Sequence, residues 1–133
     1  MIRRQYNTIS SNKNKDFFRK LNYVAQHKSN YPFKEIVPEK DFDSILYIKS
    51  DNNLDFRSFM LVKFQLDIIV IRSFVGEIND FHYLLQFLIK ENKNFFKIIY
   101  YCQDIENHVE AALDHSFYHL SDDENVYFLC KVI

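Results

Sequence analysis

The chain has 133 residues, 47% of them apolar, and its 17 basic and 18 acidic side chains nearly cancel. That is the balance of one soluble globular domain over residues 1–133, and it leaves no net field toward nucleic acid or an anionic membrane. Its single glycine, Gly76, excludes dinucleotide fingerprints, Walker loops and kinase glycine loops, each of which needs several glycines for backbone to approach phosphate.

In chain order, Ile2 to Ile9 reads as a short strand. From about Lys13 to His27 the pattern becomes helical, with Phe17, Leu21, Val24 and Ala25 recurring at three and four and Asn14 placed to cap the start. Pro32 and Pro38 make the next segment irregular. Ser44 to Lys49 and Phe56 to Gln65 are rich in strand formers. Leu66 to Val75 is nearly all β-branched or aromatic, as in a strand buried on both faces, and Gln65-Leu66-Asp67 makes the tight connection before it. Phe81, Leu84, Leu85 and Leu88 mark the clearest helix, with Asn79 or Asp80 as its cap. Phe96 to Cys102 is a strand. Asp104 to about His115 is a helix, with Ile105, Val109, Ala112 and Leu113 inward. Val126 to Ile133 is a final strand alternating Val126, Phe128, Cys130 and Val132. The order β-α-β-β-β-α-β-α-β describes an α/β (α+β) domain in which antiparallel strands lead into a strand–helix–strand crossover.

Residues Met1 to Gln5 lack the apolar core of a signal peptide, and the run from Leu66 to Val75 is far short of a membrane span. A cytoplasmic protein without nucleic-acid or membrane partners is expected. Cys102 and Cys130 lack the spacing of a zinc knuckle or redox dithiol. Cys102 reads as a buried thiol rather than a nucleophile. His115 and His119 are four apart, but the helix ends before His119 and no third ligand is nearby, so no metal site is expected. The aromatic pairs Phe95-Phe96 and Tyr100-Tyr101 lack the basic cluster of a base-stacking surface and read as core.

The element order and lengths resemble the GNAT superfamily of N-acetyltransferases over nearly the whole chain. The opening Ile2-Arg3-Arg4 and following helix, and the closing strand Lys97 to Cys102, helix with Asn107 and Ala111, and Ser116-Phe117, carry the likeness, with Ser116 standing for the family's glycine. The family's cofactor loop corresponds to Val70 through Asp80. Gly76 takes the place of its first glycine, Val75 that of a basic residue, and Ile78 and Asp80 those of later glycines.

The resemblance implies a GNAT-like mixed sheet and acetyl-CoA as cofactor. Phe74, Val75 and Gly76 would contribute backbone groups around it and Asn107 a hydrogen bond to its pantetheine. It also implies direct attack by an amine of a small-molecule or protein acceptor. Where many members carry a proton-donating Tyr, this chain has Ala112, and Tyr100, Tyr101 and Tyr118 are near in sequence. Glu77 and Asp80 bring two carboxylates to a loop meant for a diphosphate, a repulsion of roughly 1 kcal/mol per pair about 4 Å apart in water and several-fold more when partly buried. Ile78, Asp80 and Ala112 support the alternative, a catalytically inactive protein-binding or regulatory module of the same fold. An aromatic plug between the strands Leu66–Val75 and Phe96–Cys102 would mark that alternative.

Overall fold

The computed structural model describes residues 2–6, 17, 19–21, 23–24, 43–49, 56–103, 107–123 and 126–133. The elements are β1 (Ile2–Tyr6), β2 (Ser44–Lys49), β3 (Phe56–Gln65), β4 (Ile68–Val75), α1 (Ile78–Glu91), β5 (Lys97–Gln103), α2 (His108–Asp114), β6 (Tyr118–Asp123) and β7 (Val126–Val132). Before β2, Phe17, Arg19, Lys20, Leu21, Tyr23 and Val24 are helical. Asn14, Ala25, both prolines, Asp104 and Ile105 lie outside the described residues.

The strands form one seven-stranded sheet in the order β1-β2-β3-β4-β5-β7-β6. All neighbours are antiparallel except β4 and β5, which run parallel because α1 returns the chain across the sheet. A mixed α/β sheet of this kind is the expected fold class. The addition is β6. Its residues Tyr118, His119, Leu120, Ser121 and Asp122 are all exposed at the sheet's edge, so it carries no apolar alternation for a sequence reading to detect.

The sheet carries a core on each face. On one, Met60, Val62, Ile69, Ile71, Phe74, Ile98, Tyr100, Cys102 and Leu129 pack under Phe81, Leu84, Leu85 and Leu88 of α1 and Ala112 of α2. On the other, Ile45, Tyr47, Phe56, Phe59, Leu61 and Val75 pack with Leu21 and Val24, as the helical spacing of the latter pair predicts. In α2 the inward face differs from expectation: Leu113 is exposed and His108 is buried, because the helix begins at His108 and is rotated accordingly. In β7 the buried residues are Leu129 and Cys130, while Val132 is exposed past the end of the core. No described helix is long and apolar enough to cross a membrane.

Candidate active site

The site is built where a ladder stops. β4 and β5 pair from Ile68 with Lys97 to Ile71 with Tyr100, and no further. Beyond that point β4 stays on β3, through Ser73 with Leu61 to Val75 with Phe59, and β5 stays on β7 through Gln103 with Val126. The two parallel strands therefore part at Arg72–Val75 and Tyr101–Gln103. A bulge supplies the local cause: Arg72 falls between the register pairs Leu61–Ser73 and Val62–Ile71, which bends β4 away from its neighbour.

Aromatic groups fill the α1 side of the parting strands. Phe81 lies 5.2 Å from Phe74 and stacks on Tyr100 at 5.2 Å, with Phe117 6.5 Å away. His108 stands 5.4 Å from Phe74 and is hydrogen-bonded to the backbone of Gly76, so it links the start of α2 to the end of β4. Burial lowers the His108 pKa, and that hydrogen bond opposes the shift. On the opposite face the Arg72 guanidinium lies 5.1 Å from the centre of the Tyr101 ring, joining the two strands past their last pair. Ser73 is buried, and its hydroxyl has no hydrogen-bond partner among the described residues.

The turn after β4 has its own logic. Gly76 has φ 136°, and a Cβ there would lie 2.0 Å from Ser58 Oγ and 2.7 Å from Ser58 Cα. Glycine is thus required by close packing on β3 and by the backbone conformation. The Ser58 hydroxyl accepts from the Glu77 N–H at 3.1 Å and donates to Asp80 at 2.6 Å. Arg57 donates two parallel hydrogen bonds to the same carboxylate, at 2.9 and 2.8 Å.

This corrects two expectations. Asp80 is 2% exposed and turned toward β3, so its charge is answered by Arg57 instead of facing the loop. The N-cap of α1 is Glu77, not Asn79 or Asp80, and the Glu77 side chain makes no capping hydrogen bond. The Asp80 N–H is taken by the Glu77 carbonyl at 2.9 Å, whereas the N–H groups of Ile78 and Asn79 precede any intrahelical acceptor, and such helix starts favour anions.

Of the other sequence candidates, Phe74 and Val75 send their side chains into the two cores, leaving their backbone on the diverging stretch. Asn107 is exposed with φ 70° as the N-cap of α2, with no side-chain hydrogen bond to the helix. Ser116 has φ 69°, the left-handed conformation that glycine adopts most readily, and Phe117 donates back to the Ala112 carbonyl at 3.2 Å to close the helix.

The three tyrosines separate. Tyr100 is buried against Phe81 and hydrogen-bonded to the Cys102 thiol; burial first, then the thiol, raises its pKa well above the ordinary value. Tyr118 is on the edge strand beside Cys130. Tyr101 alone among them lies on the diverging stretch. Cys102 and Cys130 are both buried free thiols. His119 faces Asp122 at 3.6 Å, while His115 meets His82. The groups that sequence reasoning missed, Arg57, Ser58 and His82, come from elements distant in sequence, with Arg57 and Asp80 separated by 23 residues. No local spacing signals them.

No protein-family model and no curated protein sequence matches the chain. Solved structures do. The aminoglycoside 6'-N-acetyltransferase from Enterococcus faecium superposes with a TM-score of 0.70 at 10% identity, covering 99% of this chain and 96% of that one. An acetyltransferase of the GNAT family from Staphylococcus aureus Mu50 gives 0.65 at 11%, covering 99% of each chain. Rv2747 from Mycobacterium tuberculosis, in complex with CoA, gives 0.68 at 9%, covering 100% and 99%. The order of the sheet, the parting of β4 from β5 and these superpositions together give the chain the fold of the GNAT acetyltransferases.

Proposed function

We propose that the chain is an acetyl-CoA-dependent N-acetyltransferase, with the cofactor held along the diverging end of β4 and at the N-terminus of α1. The observation that carries this reading is the parting of β4 and β5 after Ile71 and Tyr100, beside an uncapped helix start. The residues present fit such a group. Pairing of Asp80 with Arg57 removes one of the two carboxylates from the loop's field, and the first-turn N–H groups of Ile78 and Asn79 are oriented for an anion. Phe74, Val75 and Gly76 offer backbone groups along the strand, and Asn107 offers an exposed amide at the start of α2.

Acetyl-CoA, when bound, supplies an activated acetyl group. The chain's part is then to hold an acceptor amine beside it, so catalysis rests mainly on positioning. Tyr101 is the candidate proton donor, because Tyr100 is committed to the core and Tyr118 to the sheet edge. The acceptor class, a small molecule or a protein, follows from residues beyond the fold itself.

One observation favours the second reading, an inactive protein-binding or regulatory module. His108 and the aromatic cluster occupy the α1 side of the parting strands, and the His108 bond to Gly76 ties across it. Calorimetric titration of the folded protein with acetyl-CoA, with CoA as control, separates the two. Micromolar binding, about −8 kcal/mol, that weakens on replacing Asn107 by Ala supports the transferase. No heat at millimolar ligand retires it and leaves the module.

A further inference from the structure

We propose that His82 and His115 form a two-imidazole site for a divalent transition-metal cation of the zinc, nickel or copper class, bridging α1 to the end of α2. The pair is 33 residues apart in sequence and meets only in the fold. His82 Nδ1 and His115 Nε2 are 3.3 Å apart, and the rings lie nearly parallel with centres 4.8 Å apart. Two imidazole nitrogens bound about 2.05 Å from one tetrahedral cation stand about 3.3 Å apart. A cation can therefore take the place of the proton the two nitrogens share, with little movement of either ring.

The surroundings set the chemistry. Both rings are half-buried, which leaves room for water at the remaining coordination positions. Among the described residues no set of three His, Cys, Asp or Glu side chains converges, so the two imidazoles are the ligands those residues contribute. Burial, then the neighbouring His82 and Lys131, lower the His115 pKa, against an opposite pull from Asp114, and favour the neutral ring that binds metals. Lys131 donates to the His115 carbonyl at 2.6 Å, and its charge opposes any cation. The ligand type makes the selection: two imidazole nitrogens suit zinc, nickel or copper, whereas magnesium and calcium need oxygen ligands. His115 borders the aromatic cluster through Phe81 at 5.9 Å, but the proposed metal site does not depend on acetyl transfer.

The test is calorimetric titration of the full chain with zinc chloride at about pH 7.5, above the ordinary imidazole pKa. One zinc per chain is expected, with His82→Gln and His115→Gln each weakening binding by on the order of tenfold or more. His119→Gln should leave binding unchanged. Zinc affinity untouched by the first two substitutions, or no binding at millimolar zinc, overturns the proposal. A measurement on the unaltered protein covers the case of a misfolded variant. Substoichiometric nickel should broaden the ring resonances of His82 and His115 before those of His119, and the reverse order overturns the site.

Discussion

The two halves of the β4–β5 boundary are made of the same two strands and behave differently. From Ile68 to Ile71 and Lys97 to Tyr100 they share a regular parallel ladder, and the side chains beneath α1 include Ile69, Ile71 and Ile98. From Arg72 and Tyr101 onward the ladder is gone, and aromatic and polar groups take over: Phe74, Phe81, Phe117 and His108 on one face, Arg72 and Tyr101 on the other. Backbone hydrogen bonds hold the first half together. In the second half, side chains do that work, so it is where ligands can compete and where single substitutions should have uneven effects.

The largest difference should come from side-chain truncation. Phe81 touches Phe74, Tyr100, His115 and Phe117, so Phe81→Ala is expected to cost about 4 kcal/mol, against about 1 kcal/mol for Ile69→Val under the regular ladder. Urea denaturation of both variants measures the ratio. Equal losses would mean that the aromatic cluster does not hold the diverging half.

Next is the turn. Gly76→Ala meets both a φ of 136° and the Ser58 backbone, and should cost about 2 kcal/mol or more. Its thermal midpoint is the readout, and a midpoint at or above that of the parent would refute the packing account.

A smaller and graded effect is expected from acid. The pKa of His108, and that of the half-exposed His115, lie below the ordinary imidazole value in the folded chain. The unfolded chain therefore takes up protons first as pH falls. Stability should be fully present above about pH 6.5, decline below it, and stop declining once the folded rings are protonated too. His108→Gln should flatten that decline between neutral and mildly acid pH in denaturation profiles. An unchanged profile would place the dependence elsewhere.

The smallest effect is a gain. Ser116→Gly relieves a residue held at φ 69° and should stabilise the chain by about 0.5–1 kcal/mol, seen as a raised thermal midpoint.

How much was legible in advance follows from the range of the interactions. Periodicity placed β2 at Ser44–Lys49 and β3 at Phe56–Gln65, and put Phe81, Leu84, Leu85 and Leu88 on one buried face, because each of those patterns is local. It missed β6, whose exposed residues carry no apolar alternation, and it misjudged the rotation of α2, which was fixed by where that helix starts. Ser116 was legible as a glycine substitute through the family resemblance, and its left-handed backbone agrees.

Residue order alone specifies a mixed sheet with a crossover helix, since burial patterns of two and 3.6 residues are written into consecutive positions. Tertiary structure decided which way Asp80 faces, that Gly76 must be glycine because of Ser58, and that His115 finds His82 instead of His119. Those outcomes rest on the register of β3 beside β4 and on the packing of α1 against α2. Long-range pairing sets both, and no local spacing encodes it.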